Sequence, residues 1–345
     1  MKFGPVPIGD AVGAVLAHSA QAAARPYADN GRYKIPKGTE LTQAHVEDLQ
    51  QVGAQRVTVA RLEPGDVPED AAASQLAEAL VRGRSGLSLS AATTGRVNLR
   101  ASGAGLVTLD AAAIHAVNRV NPGITVATVP NWHRLEARGL AATIKIIPYA
   151  VAASDLAAAC EQAIGAIGFC APQIQTATLI ETVIENAGSQ GDAPPDKGRK
   201  AMQGRLNRLG VDLSDRVIAA HDPDAISQAL MDAPGALKLI LTGSATSDIG
   251  DTAPEGLRRA GGDVRHYGMP VDPGNLLFLG HLGGSPVIGL PGCARSPALN
   301  GADWVLERII CGINVTPDDI AAMGVGGLLK EIPTRPLPRA RIESD

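Results

Sequence analysis

"ALKLILTG", residues 236–243, is a nearly continuous apolar run that stops at a glycine. A run of this kind is typical of a central strand that is buried on both faces of a parallel sheet. The stretches on either side of it alternate between short apolar runs and helical patterns. We therefore predict an α/β fold whose C-terminal part is a doubly wound, mostly parallel sheet.

This alternation begins at about residue 166 and sets the predicted domain organisation. The strand-like runs are "IGFCAPQIQT", "RVIAAHD", "ALKLILTG", "DVRHYG", "LLFLGHL" and "SPVIGL", and helical patterns separate them at 196–209, 223–231, 254–260 and 297–311. Residues 1–165 contain shorter strands and a few helices, one of them with Thr42 as its N-cap and Gly53 at its end. We predict a strand-rich α+β accessory region at 1–165, which could divide into two small subdomains. An α/β domain at 166–330 and a tail at 331–345 follow.

Composition and charge exclude several classes of protein. Hydrophobic residues make up 45%, charged residues 19%, and the net charge is −4, which favours a folded chain without affinity for nucleic acid. Three Phe, four Tyr and two Trp are too few for base-stacking surfaces. No apolar run approaches the ~20 residues that cross a bilayer. The four cysteines form no CxxC pair, which predicts reduced thiols and a cytoplasmic protein without a membrane partner.

The loop after "LILTG" has the chemistry of a phosphate site. Gly243, Ser244, Thr246 and Ser247 offer backbone N–H groups and hydroxyls, which suit phosphate oxygens. Asp248 and Asp251 add carboxylates for a hard cation such as Mg²⁺. The alternative is a solvated loop in which Ser and Asp act only as turn residues.

Two further loops follow later strands. "GMPVDPGNLLFLG", residues 268–280, displays Asp272 and Asn275 on a stiff turn, and could equally be a rigid connection. In "GLPGCARSPALNGADW", residues 289–304, Ser296 and the proline after it read as N-cap and first residue of a helix, with Asn300 about one turn inside. The helix dipole and Arg295 then predict an anionic ligand in this crevice.

Cys293 has three interpretations. A thiol near a helix N-terminus and an arginine could be a nucleophile or a soft metal ligand, or a small buried residue. No histidine lies near it in sequence, and the chain contains no Walker motif, zinc spacing or nucleophile elbow.

Together these loops resemble the molybdopterin-binding domain that molybdopterin molybdotransferases and molybdopterin adenylyltransferases share. The resemblance is specific over about 166–312 and is closest to bacterial molybdopterin-binding proteins that carry "GMPVDPGNLL" and "GLPGCARSP". It extends more weakly over most of the chain, because "IPKGTELTQAHVEDLQQVGAQRVTV" and "TIKIIPYAV" resemble the accessory portion of molybdotransferase-like proteins. The matching elements are Thr242-Gly243-Ser244, Asp251, Pro273-Gly274-Asn275, Pro286-Val287 and Gly289-Leu290-Pro291-Gly292. The chain departs from the family at Ser244, which replaces a glycine, and at Cys293-Ala294, which replace Asn-Pro. "IQTATLIETVIENAG", residues 174–188, stands where the family has a Thr-Gly-Asp-Glu-Leu loop.

The resemblance implies that the ligand is molybdopterin or the molybdenum cofactor. Its implied binding residues are Thr242, Gly243, Ser244, Thr246, Asp272, Gly274, Asn275, Pro291, Gly292, Cys293, Arg295 and Ser296. Asp248 and Asp251 would be catalytic and would hold Mg²⁺ or face molybdate. The implied function is molybdenum cofactor biosynthesis or maturation, by a transferase that inserts molybdate or adenylylates the pterin. Family members also form homo-oligomers.

Two alternatives remain open at this point. One is a non-catalytic carrier or regulator that hands the cofactor to a molybdoenzyme or a nucleotidyltransferase. The other is a nucleotide or phosphosugar enzyme on the same fold, because fold does not determine function.

Overall fold

The computed structural model describes residues 1–25, 31–184 and 194–329. This part of the chain is a mixed α/β structure that divides into two compact units. The first contains Met1–Ser102 and Val107–Phe169, and the second contains Gly103–Leu106 and the described residues from Cys170 onward. The predicted tail at 331–345 lies outside the described residues. None of the described helices has the length and apolar character needed to cross a membrane.

Residues 1–170 hold most of the short strands. The helices are α1 Gln43–Gln51, α2 Glu69–Leu80, α3 Ala111–Val120 and α4 Ala153–Ala163. The strands are β1 Lys2–Pro7, β2 Val15–Leu16, β3 Ala20–Ala23, β4 Arg32–Ile35, β5 Arg56–Arg61, β6 Asp66–Pro68, β7 Leu87–Leu89, β8 Arg96–Ala101, β9 Gly105–Leu109, β10 Ile124–Thr128, β11 Arg134–Leu135, β12 Leu140–Ile146, β13 Ala150–Ala152 and β14 Ile167–Cys170. They form small sheets in the orders β1-β5-β2, β3-β4, β13-β6, β10-β12-β8-β7 and β11-β9-β14.

Local signals decide the structure of α1. The Thr42 side chain accepts a hydrogen bond from the backbone N–H of His45, and the His45 ring accepts one from the backbone N–H of Thr42. Val46 and Leu49 lie in the hydrophobic core of residues 8–59. Gly53 has a φ of 82°, a left-handed conformation that ends the helix. The predicted cap and stop are therefore confirmed.

The second unit contains the longest sheet. Its strands are β15 Thr176–Val183, β16 Asp212–Leu213, β17 Val217–Ala220, β18 Leu237–Leu241, β19 Asp263–Tyr267, β20 Phe278–Leu282 and β21 Ser285–Leu290. Its helices are α5 Lys197–Asn207, α6 Pro223–Asp232, α7 Thr252–Arg259, α8 Gly301–Ile310 and α9 Pro317–Ala322. Side chains of α6 and α7 pack against β15, β18, β20 and β21 in one hydrophobic cluster.

The sheet topology places several strand ends along one edge. Among the described residues the order is β16-β15-β18-β21-β20-β19, and β17 also pairs with β15. β15 is parallel to β16, β17 and β18, and β18 is parallel to β21. β19 and β20 are antiparallel to their neighbours, in a sheet that the sequence pattern predicted to be mostly parallel. For β20 and β21 the cause lies at Gly283-Gly284, since two strands joined by two residues can pair only as an antiparallel hairpin. The doubly wound arrangement stays a prediction.

The reading of 174–188 as a replaced loop is wrong. Thr176–Val183 is strand β15, which lies between β17 and β18, and its residues from Ala177 to Thr182 are buried. The predicted strand "IGFCAPQIQT" instead ends at Cys170. β15 is difficult to recognise in the sequence as a buried strand, because it contains polar residues. The loop that follows β15 therefore begins at Ile184, and residues 185–193 lie outside the described part of the chain.

The predicted start of the last long helix is also wrong. Gly292–Arg295 forms a turn of 3-10 helix, and α8 begins only at Gly301. Asn300 is the N-cap, because its side chain accepts the N–H of Ala302 at 2.9 Å while the Asp303 carboxylate accepts the N–H of Asn300 at 2.8 Å. This reciprocal capping box prevails over the Ser-Pro signal. Ser296 instead accepts the N–H of Ala298 at 3.3 Å in a local turn.

Candidate functional site

The candidate site lies at the carboxyl ends of the parallel strands, where ligands bind in open α/β sheets. The Thr182 hydroxyl, near the end of β15, accepts the backbone N–H of Gly243 at 2.7 Å. The same hydroxyl lies 2.9 Å from Nδ1 of His221, the residue after β17. The backbone N–H of His221 in turn donates to the carbonyl of Val183 at 2.7 Å. Three strand ends are therefore joined by direct hydrogen bonds.

The loop after β18 exposes a run of backbone donors. The buried Thr242 hydroxyl donates to the carbonyl of Ser244, and Tyr267 donates to the carbonyl of Thr246 at 3.0 Å. The backbone N–H groups of residues 244–246 have no acceptor among the described residues. Successive unpaired N–H groups form a concavity that attracts anions.

Asp248 and Asp251 lie on this loop and shape it. Asp248 accepts the N–H of Gly250 at 2.7 Å. Asp251 uses both oxygens, one for Ser247 N–H at 2.9 Å and one for Thr252 N–H at 2.7 Å, and so caps α7. Burial acts to raise the pKa of Asp251, but these hydrogen bonds and the nearby His221 prevail and hold that pKa below its usual value.

The predicted metal role of these two carboxylates stays a prediction. Across residues 1–25, 31–184 and 194–329, no three His, Cys, Asp or Glu side chains gather as a metal site would require. Asp251 offers a cation little, because both of its oxygens already accept backbone hydrogen bonds. Asp248 keeps one oxygen that has no partner in the described structure.

The segment after β21 reaches the same loop. The Arg295 guanidinium donates to the carbonyl of Thr242, which joins the ends of β18 and β21. Cγ of Arg295 would lie 3.4 Å from a Cβ added at Gly198 in α5. Arg295 therefore lies close to both the loop of β18 and helix α5.

A second arginine, which is buried, stabilises the conformation of residues 294–298. Arg205 of α5 is buried and pairs through Nε with Asp303. Its other nitrogens donate to the carbonyls of Ala294 at 2.9 Å, Ser296 at 2.8 Å and Ala298 at 3.0 Å. One buried cation thus holds residues 294–298 in an irregular conformation that replaces the predicted first turn of the helix.

The helix dipole does not contribute in the predicted way. The N–H of Gly301 donates to the carbonyl of Pro273 at 2.8 Å, and the N–H groups of Ala302 and Asp303 are taken by Asn300. The N-terminus of α8 is therefore satisfied by the protein itself. Arg295 and the unpaired N–H groups of the β18 loop remain as candidate groups for an anion.

Other predicted residues surround the start of α8. A Cβ at Gly274 would lie 2.7 Å from the nitrogen of Gly301, so close packing explains this glycine. The backbone of Asp272 pairs with Gly327 and Leu329, and Asn275 donates to the carbonyl of Met269 at 3.2 Å. These contacts account for the conformation of the 268–275 turn, and a ligand role for Asp272, Gly274 and Asn275 stays a prediction.

Cys293 is a poor candidate for a nucleophile. The residue is half-buried on the 3-10 turn beside exposed Gly292 and buried Pro291. Burial raises the pKa of its thiol, and the opposing field of Arg205 does not reverse the effect. A thiol that ionises less readily than usual lacks the main property of a catalytic cysteine.

Sequence reasoning missed four residues that organise this edge of the sheet. Thr182 was hidden in a strand read as a loop, Arg205 lay in an ordinary helical pattern, and Tyr267 ended a short strand. His221 carried a usable signal, because it directly follows the strand run in "RVIAAHD". Residues in that position of a parallel sheet line the ligand crevice.

A separate cavity of about 350 Å³ lies at the opposite end of β21. Its lining includes Arg265, His266 and His281 together with Pro286, the second residue of that strand. None of the predicted site residues borders it.

Comparison with known proteins gives three findings. A family model described as a domain of unknown function (DUF8806) matches residues 5–61. No protein of curated function matches the chain. Among the similar solved structures are three from Pyrococcus that are described as proteins of molybdopterin or molybdenum cofactor biosynthesis.

One of these structures is the molybdopterin biosynthesis MoeA protein of Pyrococcus horikosii, which is 14% identical with a TM-score of 0.32, over 90% of this chain and 75% of that one. A molybdenum cofactor biosynthesis protein of Pyrococcus furiosus is 12% identical with a TM-score of 0.23, over 91% and 66%. Another MoeA structure, from Pyrococcus horikoshii OT3, is 10% identical with a TM-score of 0.25, over 91% and 76%. Similarity at this level assigns no activity, so the site is judged on its own residues.

Proposed function

We propose that this protein binds molybdopterin or the molybdenum cofactor and acts in the biosynthesis or maturation of that cofactor. The observation that carries the proposal is the hydrogen bond from Arg295 to the carbonyl of Thr242. It joins the two loops, 242–246 and 289–296, in which the sequence most resembles the molybdopterin-binding family. The resembling motifs are therefore neighbours in space as well as features of one sequence.

The phosphate of the ligand would bind at residues 244–246. Their backbone N–H groups have no acceptor among the described residues, and Arg295 adds a positive charge beside them. Such an arrangement suits a phosphate monoester or diphosphate. The pterin would extend along Pro291 and Gly292 toward Cys293 and Ser296, and Asp272 and Asn275 are the proposed polar contacts at its far end.

Mg²⁺ enters the proposal through Asp248. One oxygen of that carboxylate holds Gly250, and the other would join phosphate oxygens around the ion, since Mg²⁺ commonly binds one or two carboxylates together with phosphate. Asp251 would then support the loop rather than the metal, because both of its oxygens are used.

A carrier function remains the second candidate, and one observation favours it. Asp248 and Asp251, the two residues predicted to be catalytic, both accept backbone N–H groups and maintain the loop. A carrier would pass the ligand to a molybdoenzyme or a nucleotidyltransferase, whereas an enzyme would insert molybdate or transfer an adenylyl group. A turnover assay with molybdopterin, molybdate and ATP separates the two, because turnover above the protein-free background excludes a pure carrier.

Binding is tested by titrating the 345-residue chain with molybdopterin, with and without Mg²⁺. We expect saturable binding at micromolar concentration, and about tenfold weaker binding for Arg295→Gln, which is the order expected for the loss of one charged hydrogen bond. Arg259→Gln is the matched control, because Arg259 forms exposed ion pairs with Asp224 and Glu255 on the surface of α7. Absence of saturable binding by the unmodified chain refutes the proposal.

The Mg²⁺ assignment has its own test. Asp248→Asn preserves the side-chain oxygen that accepts the N–H of Gly250 and removes the charge. We expect this variant to bind molybdopterin with an affinity that no longer depends on Mg²⁺. Asp251→Asn is the comparison, and an equal loss of Mg²⁺ dependence in that variant contradicts the assignment to Asp248.

A further inference from the structure

The hydroxyl of Thr182 determines which nitrogen of His221 carries the proton. Thr182 is 2% exposed, so its hydroxyl hydrogen needs an acceptor inside the protein. Its oxygen accepts the N–H of Gly243, and a backbone N–H cannot accept in return. Nδ1 of His221, at 2.9 Å, is the acceptor that the described structure offers.

These partners favour one tautomer of the neutral ring. Because Nδ1 accepts from Thr182, it has no hydrogen of its own, and the hydrogen of the neutral imidazole lies on Nε2. Nε2 has no hydrogen-bond partner among the described residues, and it is absent from the buried atoms that lack partners. It is therefore a donor that remains accessible to solvent.

The position of the ring places this donor beside the proposed phosphate site. Thr182 contacts His221 on one side and Gly243, the second residue of the β18 loop, on the other. His221 is also close enough to Asp251 to lower the pKa of that carboxyl. The geometry points to His221 as a ligand-binding residue that donates Nε2–H to a phosphate oxygen, with Thr182 as the residue that positions it. This inference rests on the proposed function for the phosphate site and for the identity of the phosphate compound.

The tautomer is measured directly by nitrogen-15 NMR of the histidine rings, with the His221 signals assigned as those missing from a His221→Gln variant. We expect Nδ1 of His221 to resonate as an unprotonated nitrogen and Nε2 as a protonated one. A protonated Nδ1 overturns the inference whatever ligand the protein binds. Thr182→Val removes the hydroxyl and should reduce the preference for the Nε2-protonated tautomer to that of a free histidine side chain.

β15 supplies a matched control for this variant. Thr178 is also buried on β15, and its hydroxyl accepts the N–H of Gly235 at 3.0 Å, just as Thr182 accepts that of Gly243. Thr178→Val therefore removes an equivalent buried hydroxyl without touching His221. We expect it to leave the ring signals of His221 unchanged. If Thr178→Val changes these signals as much as Thr182→Val does, the Thr182 hydroxyl influences the ring through the conformation of β15 and not through a direct hydrogen bond.

Ligand donation is tested with inorganic pyrophosphate as the probe. We expect pyrophosphate to shift the Nε2 signal of His221, and no shift at millimolar pyrophosphate overturns the inference. His221→Gln keeps an N–H near the position of Nε2, whereas His221→Asn keeps only the contact toward Thr182. Pyrophosphate binding should therefore be about tenfold weaker in His221→Asn than in His221→Gln, and the reverse order indicates a structural role for the ring.

The outcomes separate this inference from the proposed function. Pyrophosphate that shifts Nε2 in a protein without affinity for molybdopterin leaves the histidine assignment intact and refutes the ligand. Molybdopterin binding by a protein whose His221 carries its proton on Nδ1 refutes the histidine assignment and leaves the proposed ligand intact.

Discussion

Replacing Arg205 by methionine should destabilise the second unit by about 3–5 kcal/mol, the range for removing one partner of a buried ion pair. Arg205 makes hydrogen bonds to Asp303 and to the carbonyls of Ala294, Ser296 and Ala298. The last two residues are half-buried, so water can replace the guanidinium at their carbonyls at little cost.

The cost arises from the two buried acceptors. The carbonyl of Ala294 would lose its partner in a buried position, which costs about 1–3 kcal/mol. The carboxylate of Asp303 is 6% exposed and would keep only its capping bond to Asn300. The charge left on Asp303 accounts for the remainder of the expected loss.

Urea unfolding followed by the fluorescence of Trp304 measures this loss. The chain has two tryptophans, so a Trp132→Phe background leaves a single reporter, which is next to Asp303 in α8. Arg208→Met is the matched control, because Arg208 is an exposed arginine at the end of the same helix. It should change the free energy of unfolding by less than about 0.5 kcal/mol.

A second substitution tests the physical reason. In Arg205→Met with Asp303→Asn the buried charge is gone, while the amide oxygen can still accept the N–H of Asn300. We expect at least about 1 kcal/mol of stability to return, since the charge accounts for much of the penalty. A loss below about 1 kcal/mol in Arg205→Met, or no recovery in the double variant, refutes the reasoning.

Three further predictions concern the helix start, the thiol and the loop carboxylate. Asn300→Ala should cost about 1 kcal/mol of unfolding free energy as a lost N-cap, whereas Ser296→Ala should cost less than half as much, and equal losses would contradict the observed start of α8. Cys293 should react with iodoacetamide at neutral pH more slowly than free cysteine, because its raised pKa lowers the thiolate fraction. Mass spectrometry gives the rate, and faster alkylation contradicts the burial argument. Asp251→Ala should lower the free energy of unfolding by about 1 kcal/mol at pH 7. The folded pKa of Asp251 is depressed, so its stabilisation exists above the unfolded pKa of about 3.9 and disappears as the pH falls through the folded value. The difference between the variant and the unmodified chain in urea unfolding should therefore shrink in acid to the part that a neutral carboxyl still contributes as a hydrogen-bond acceptor.

Local signals explain which elements the sequence predicts well. The cap of α1 lies within a few residues of the helix it starts, and α6 has the Asp222 cap followed by Pro223 as its first residue. β18 is buried at every position and contains an apolar run long enough to identify it. In the two helices the deciding interactions are between neighbours in the chain, and β18 is identified by the apolar residues of the strand itself.

Distant partners explain the failures. β15 contains Thr178, Glu181 and Thr182, all buried, and they are tolerated because Gly235, Arg216 and Gly243 supply hydrogen bonds from far along the chain. No periodicity in the segment itself reveals those partners.

The predicted start of α8 was wrong for the same reason. The Ser296-Pro297 signal is sound in isolation, but Arg205 lies about 90 residues earlier in the sequence and takes the carbonyls of 294–298. The loops of the candidate site were predicted from residue chemistry, whereas their connection through Arg295 and Thr242 required the fold.

The paired threonines of β15 have a mechanical consequence for the sheet. Gly235 lies two residues before β18 and Gly243 two residues after it, and each donates its N–H to a threonine of β15, four residues apart. Sliding β18 by two residues would keep the alternation of faces but would break both bonds at once. The register of β18 against β15 is therefore fixed at both ends of the strand. Any movement that a ligand induces must begin beyond Gly243.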